Sequence, residues 1–93
     1  MGEDLEKKAA SLLAAQGAKR VAVFGSYARG EAGPSSDLDL LVDFENSVSL
    51  LSLIRIEQEL SEQLGIKVDL VTEGALSPYI RKVIQKDLRV IHQ

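Results

Sequence analysis

The stretch Val21-Ala-Val-Phe-Gly-Ser-Tyr-Ala-Arg-Gly-Glu-Ala-Gly-Pro-Ser-Ser-Asp-Leu-Asp-Leu-Leu-Val42 decides the fold of this chain. Val21 to Phe24 is a continuous apolar run, the pattern of a strand covered on both faces. Gly25-Ser26 breaks the run. A helix starting there presents free backbone N–H groups, a natural place for phosphate. Gly30 to Ser36 reads as a polar loop in which Pro34 stops the short helix. On the strand that follows, Leu38, Leu40, Val42 and Phe44 point one way, and Asp37, Asp39, Leu41 and Asp43 point the other. Strand rise sets the Cα atoms of Asp37 and Asp39 about 6.5–7 Å apart, with both side chains leaving one face. That is close enough for the two carboxylates to converge on magnesium. A phosphate cradle beside paired metal ligands points to phosphoryl or nucleotidyl transfer.

Outward from this stretch, periodicity predicts a first helix over Asp4–Gln16, with Leu5, Ala9, Leu12 and Leu13 as its apolar stripe and Gly17 as its stop. Lys7 and Lys8 fall on its wet face, and Ala18-Lys19-Arg20 reads as a solvated link. Glu45 to Ser49 is a turn, with Ser47 or Ser49 as the N-cap of a helix over Leu50–Leu64 that Gly65 closes. Leu50, Leu53, Ile54, Leu60 and Leu64 are expected to face the core. Glu57, Glu59 and Glu62 are expected to serve solubility and to pair with Arg55.

Ile66 to Val71 reads as a third strand, with Lys67, Asp69 and Val71 on one face. An acid in the middle of a short strand runs against strand propensity and asks for a reason. Asp69 is either a third carboxylate beside Asp37 and Asp39 or part of the wet face of an edge strand, and the first motif favours the former. Ser77-Pro78 starts a last, basic helix as N-cap and first helical residue, with Tyr79, Ile80, Val83 and Ile84 as its packing surface. Leu88 to Ile91 adds a short final strand. The expected fold is α/β: a small mixed sheet of three or four strands, helices mainly on one face, and the acidic face open to a nucleotide.

Composition narrows the chemistry. The 93 residues suit one domain spanning 1–93, and 45% hydrophobic with 27% charged residues is ordinary for a globular protein. Cysteine is absent, which excludes thiolate zinc sites, disulfides and a cysteine nucleophile, and a cytoplasmic location fits best. No apolar run approaches a membrane span, and Met1-Gly2-Glu3-Asp4 lacks a signal-peptide layout. A net charge of −3 argues against a general nucleic-acid binder. The single histidine, His92, stands beside the last residue, so chemistry here falls to carboxylates.

Ten residues, Tyr27 to Ser36, separate Gly25-Ser26 from Asp37-Leu-Asp39. This Gly-Ser-x10-Asp-x-Asp pattern resembles the minimal nucleotidyltransferases, the MNT branch of the DNA polymerase beta superfamily. Lys67-Val-Asp-Leu-Val71 and the basic amphipathic C-terminal segment extend the resemblance through almost the whole chain. It implies that Asp37, Asp39 and Asp69 hold two Mg2+ ions and carry catalysis, with Asp69 as second-metal ligand, general base on the acceptor, or both. Gly25, Ser26 and backbone N–H groups would hold the phosphates of ATP. Arg29 is assigned equally to those phosphates and to a surface pair with Glu31. The resemblance also implies a partner, a HEPN-domain toxin in a hetero-oligomer, inactivated by transfer of AMP from ATP to a tyrosine hydroxyl. Two alternatives stay open: a non-catalytic antitoxin acting by binding alone, and a nucleotidyltransferase for a small molecule. The second is the less expected, because 93 residues leave no room for a separate acceptor domain.

Overall fold

The computed structural model describes residues 2–93, with side chains from residue 4 onward. Helix α1 spans Gly2–Ala15 and buries Ala9 and Leu13 completely. It stops where Gly17, at φ 93°, turns the chain back. Strand β1 (Ala18–Phe24) starts three residues before the apolar run, so Lys19 and Arg20 belong to the strand and not to a link. Sheet pairing is the reason. Ala18 lies opposite Phe44 and Arg20 opposite Asp43, while Lys19 reaches Asp43 at 3.6 Å and Arg20 reaches Glu73 at 3.5 Å. Both charges are thus matched by acids outside β1, and tertiary partners override local propensity.

A four-residue helix α2 (Ser26–Arg29) and a loop lead to β2 (Leu38–Phe44), antiparallel to β1. Helix α3 (Leu50–Leu64) has the expected bounds, with the Ser49 hydroxyl accepting from the Ser52 N–H and Gly65 in the left-handed region at its end. It carries the chain over to β3 (Val68–Thr72), parallel to β2. A parallel neighbour requires such a crossover. After a 3₁₀ turn at Glu73–Ala75, helix α4 (Pro78–Gln85) leads to β4 (Arg89–His92), which pairs antiparallel with β1. Ser77 caps α4 through the Ile80 N–H. The sheet order is β3-β2-β1-β4, a mixed four-stranded α/β architecture.

The core lies on one face of this sheet. Val21, Val23, Leu38, Leu40, Val42, Val68 and Leu70 meet Ala9 and Leu13 of α1 and Ile56 and Leu60 of α3. Each apolar strand run buries its alternate residues here. Lys8 stays exposed yet ties α1 to α3 by donating to the Gln63 carbonyl at 3.1 Å. The partly buried ion pair of Arg89 with Glu6, at 2.7 and 3.0 Å, joins β4 to α1.

Two expected packing faces are corrected. On α3, Leu50 and Ile54 are exposed, and Ile56 is buried with Leu60. At 3.6 residues per turn Ile54 lies about 120° around the helix from Leu60, off the buried stripe. On α4, Tyr79, Ile80 and Val83 are 78%, 49% and 53% exposed, so only Ile84 of the expected surface is half-buried. This eight-residue helix links the two edge strands without burying any residue: only Arg81 and Ile84 are partly shielded from solvent, and Ile84 does not pack against the core. Among the described residues, no helix is long and apolar enough to cross a membrane.

Candidate active site

The site forms where β1 ends and β2 and β3 begin. Asp39 stands directly opposite Asp69 in the parallel β2–β3 pair. Residues in register on neighbouring strands send their side chains to the same face, here the one opposite Leu38, Leu40, Val68 and Leu70. Asp37, one residue before β2, follows the same alternation. Its position is set by the Leu38 N–H, which donates to the Lys67 carbonyl at 2.9 Å and closes the start of the β2–β3 pairing.

Electrostatics reflect this crowding. The Asp39 carboxyl is pushed above the ordinary carboxylate range, first by burial, then by the charges of Asp69 and Asp37, and further by a hydrogen bond shared with Asp69. The charge of Arg29 opposes these effects. A carboxylate held against two others favours a shared proton or a bound cation. Asp37 has a second neighbour: Lys67 Nζ lies 3.8 Å from its Oδ2. Among the described residues, no three acidic or imidazole groups form a ready-made metal cluster. Asp39 and Asp69 are joined to each other while Asp37 faces an ammonium. The donor set is nonetheless all carboxylate oxygen, the ligand type magnesium selects, and the crowding around Asp39 is what a cation would relieve.

The Gly-Ser bend completes the site. Gly25 sits at φ 76°, ψ −152°, a region open in practice only to glycine. A Cβ placed there would overlap the Asp39 carboxylate. Glycine is therefore required twice over, for the bend and for the close approach of backbone to acid. Ser26 begins α2 and is half-buried, and its carbonyl accepts from the Glu31 N–H at 2.9 Å, folding the loop back over the helical turn.

Arg29 makes the surface pair with Glu31, at 2.8 Å, and a second one that sequence reasoning missed, with Asp87 just beyond α4, at 3.0 Å. These two hydrogen bonds, Glu31 first, raise its already high pKa. The guanidinium is thus held beside the acids, close enough for Asp39 to feel its charge.

Sequence reasoning also misplaced Glu57. It does not pair with Arg55 in solvent: it is half-buried, and its Oε2 accepts from the Leu70 N–H at 2.8 Å. The signal lay in helical phase, because Glu57 falls about 60° from Leu60, on the flank of the buried stripe. Ser61, one turn later, accepts from the Val68 N–H at 3.0 Å.

Comparison with known proteins adds the family and the fold. A nucleotidyltransferase domain model matches residues 5–91. The protein adenylyltransferase MntA of Thermococcus cleftensis is 46% identical over 72 residues, covering 77% of this chain and 73% of that one. A solved structure provisionally described as a minimal nucleotidyltransferase superposes with a TM-score of 0.79 at 44% identity, covering 94% of this chain and 89% of the other. A Shewanella oneidensis complex of a tri-AMPylated HEPN toxin with its MNT antitoxin has a chain of the same fold, with TM-score 0.79, 22% identity, and 97% and 71% coverage. By sequence and fold, the chain belongs to the nucleotidyltransferase domain family.

Proposed function

We propose that this protein is an antitoxin that transfers AMP from ATP to a hydroxyl, a tyrosine hydroxyl by preference, of a partner HEPN toxin. It would work in the cytoplasm as a single domain spanning residues 1–93, bound to that toxin and without contacting nucleic acid or membrane. The observation that carries this reading is the register pair Asp39–Asp69 beneath the Gly25 bend. The name of the Thermococcus cleftensis relative and the AMPylated toxin in the Shewanella oneidensis complex support the reaction and the partner.

Asp37, Asp39 and Asp69 would hold Mg2+, two ions by our reading, and bound magnesium would neutralise the triphosphate and polarise the phosphorus under attack. The Gly25-Ser26 bend would cradle the β- and γ-phosphates through backbone N–H groups and the Ser26 hydroxyl. Arg29, fixed by Glu31 and Asp87, adds a positive charge beside them. Asp69 accepts the proton of the incoming hydroxyl. The hydroxyl oxygen bonds to the α-phosphorus, the bond to the bridging oxygen breaks, and pyrophosphate leaves.

Incubation with labelled ATP, Mg2+ and a cognate HEPN toxin tests this directly. The expected result is label on the toxin, abolished in the Asp37→Asn/Asp39→Asn variant; no transfer by the folded wild type refutes it. A second reading, neutralisation by binding alone, is favoured by the exposed apolar residues Leu50, Leu51, Tyr79 and Val83. It predicts that the double variant still silences the toxin in full. Label on a small acceptor instead of the toxin would point to the small-molecule alternative.

A further inference from the structure

Strand β3 is an edge strand, hydrogen-bonded to β2 on one side only. Along any strand alternate N–H groups point outward, and on an edge they normally meet water. Here the two outward N–H groups that flank Asp69 are both taken by side chains of α3. The Val68 N–H donates to Ser61 Oγ at 3.0 Å, and the Leu70 N–H donates to Glu57 Oε2 at 2.8 Å. Ser61 Oγ in turn donates to the Glu57 carbonyl at 2.9 Å, one helical turn back. Glu57 and Ser61 thus form a two-point clamp, four residues apart on one helix, across the residues before and after the third acid of the site.

The clamp acts where the site is most sensitive. Asp69 reaches Asp39 only while β3 keeps its register on β2, and a slip of one residue would send its side chain into the apolar layer. Val68 and Leu70, anchored through their N–H groups, also sit in the core beneath. Both the height of β3 and its rotation about its own axis are therefore set from α3.

Resting on the proposed magnesium site, we infer that Glu57 and Ser61 are positioning residues: they hold Asp69 against Asp39 through the β3 backbone and so set the cation affinity of the site. Neither touches the acids, and each acts through one peptide group. What Glu57 supplies is an acceptor oxygen at a fixed place, which a glutamine also offers.

Mn2+ affinity, measured by water-proton relaxation on the whole protein at a temperature where every variant is fully folded, tests this. Glu57→Ala is expected to weaken Mn2+ binding about tenfold, as losses of outer-shell support to metal ligands do. Glu57→Gln should bind as wild type, and amide exchange at Leu70 should quicken in the alanine variant alone. Should Glu57→Ala fail to fold, Ser61→Ala carries the same expectation with a smaller loss. Unchanged Mn2+ affinity in a folded clamp variant overturns the inference. So does an equal loss in Glu57→Gln and Glu57→Ala, which would assign the effect to charge. Asp69→Asn separates this failure from that of the underlying reading. If it binds Mn2+ as wild type, the site itself is refuted; if it loses binding while the clamp variants keep it, only the clamp is.

Discussion

Gly25→Ala is the most discriminating single change. The φ 76°, ψ −152° backbone of residue 25 costs an alanine about 1–3 kcal/mol before any contact is counted. The new methyl would then overlap the Asp39 carboxylate, the end of a half-buried side chain that can rotate away. Overlap is therefore relieved by moving Asp39, and its penalty falls on the site more than on stability. Gly30→Ala is the matched control: Gly30 also has positive φ, 72°, but a Cβ there meets nothing within 4 Å. Its cost is backbone strain alone, about 1–2 kcal/mol. For a domain of this size each kcal/mol lowers Tm by about 4–8 °C. Thermal melts followed by circular dichroism should show both variants folded and destabilised to a similar degree, Gly25→Ala somewhat more. Mn2+ titration should separate them, with Gly30→Ala near wild type and Gly25→Ala weakened at least about tenfold. A folded Gly25→Ala protein that binds Mn2+ as Gly30→Ala does would refute the idea that the bend and Asp39 are built against each other.

Three further outcomes follow from the same geometry. Asp39→Asn should raise Tm in metal-free buffer while abolishing AMP transfer, because it removes the acid most crowded by burial and by Asp69 and Asp37; a lower Tm would show the cluster to be stabilising. Lys67→Met should tighten Mn2+ binding by about 1.4–5-fold, the worth of an exposed ion pair of about 0.2–1 kcal/mol, since its ammonium competes for Asp37. Weaker binding would assign Lys67 a supporting role instead. Arg89→Ala should cost about 1–3 kcal/mol in chemical denaturation, because the well-buried Glu6 carboxylate loses its bidentate partner although Arg89 itself is half-exposed. The Glu6→Leu/Arg89→Met pair should recover most of that loss, and a failure to do so would place the effect outside this ion pair.

What the amino-acid sequence determined by itself is what short-range chemistry encodes. The bounds of α3 follow from Ser49, Gly65 and the apolar period between them. The start of α4 follows from Ser77-Pro78, and the strand, bend and acid-bearing strand from Val21 to Val42 follow from apolar runs broken by glycine. Caps, breakers and periodicity act within a few residues, so they can be read along one line of letters. Asp69 stood out locally as an acid on a strand without a local reason for it, and the Asp37-Leu-Asp39 motif and the family resemblance made it the third carboxylate of the site.

Tertiary structure decided the rest, because it depends on residues that meet only after the chain has crossed over. The parallel pairing of β2 with β3 sets Asp69 opposite Asp39, and no local period specifies which residue of one strand faces which of another. Pairing with β2 drew Lys19 and Arg20 into β1, against their local preference. The phase of α3 turned Glu57 from a solvent carboxylate into a partner for the β3 backbone and left Leu50 and Ile54 in water. Arg29 found Asp87, 58 positions away, only because α4 returns the chain to the end of β1. In each case a side chain with several acceptable surroundings on paper was given one of them by the packing of the sheet.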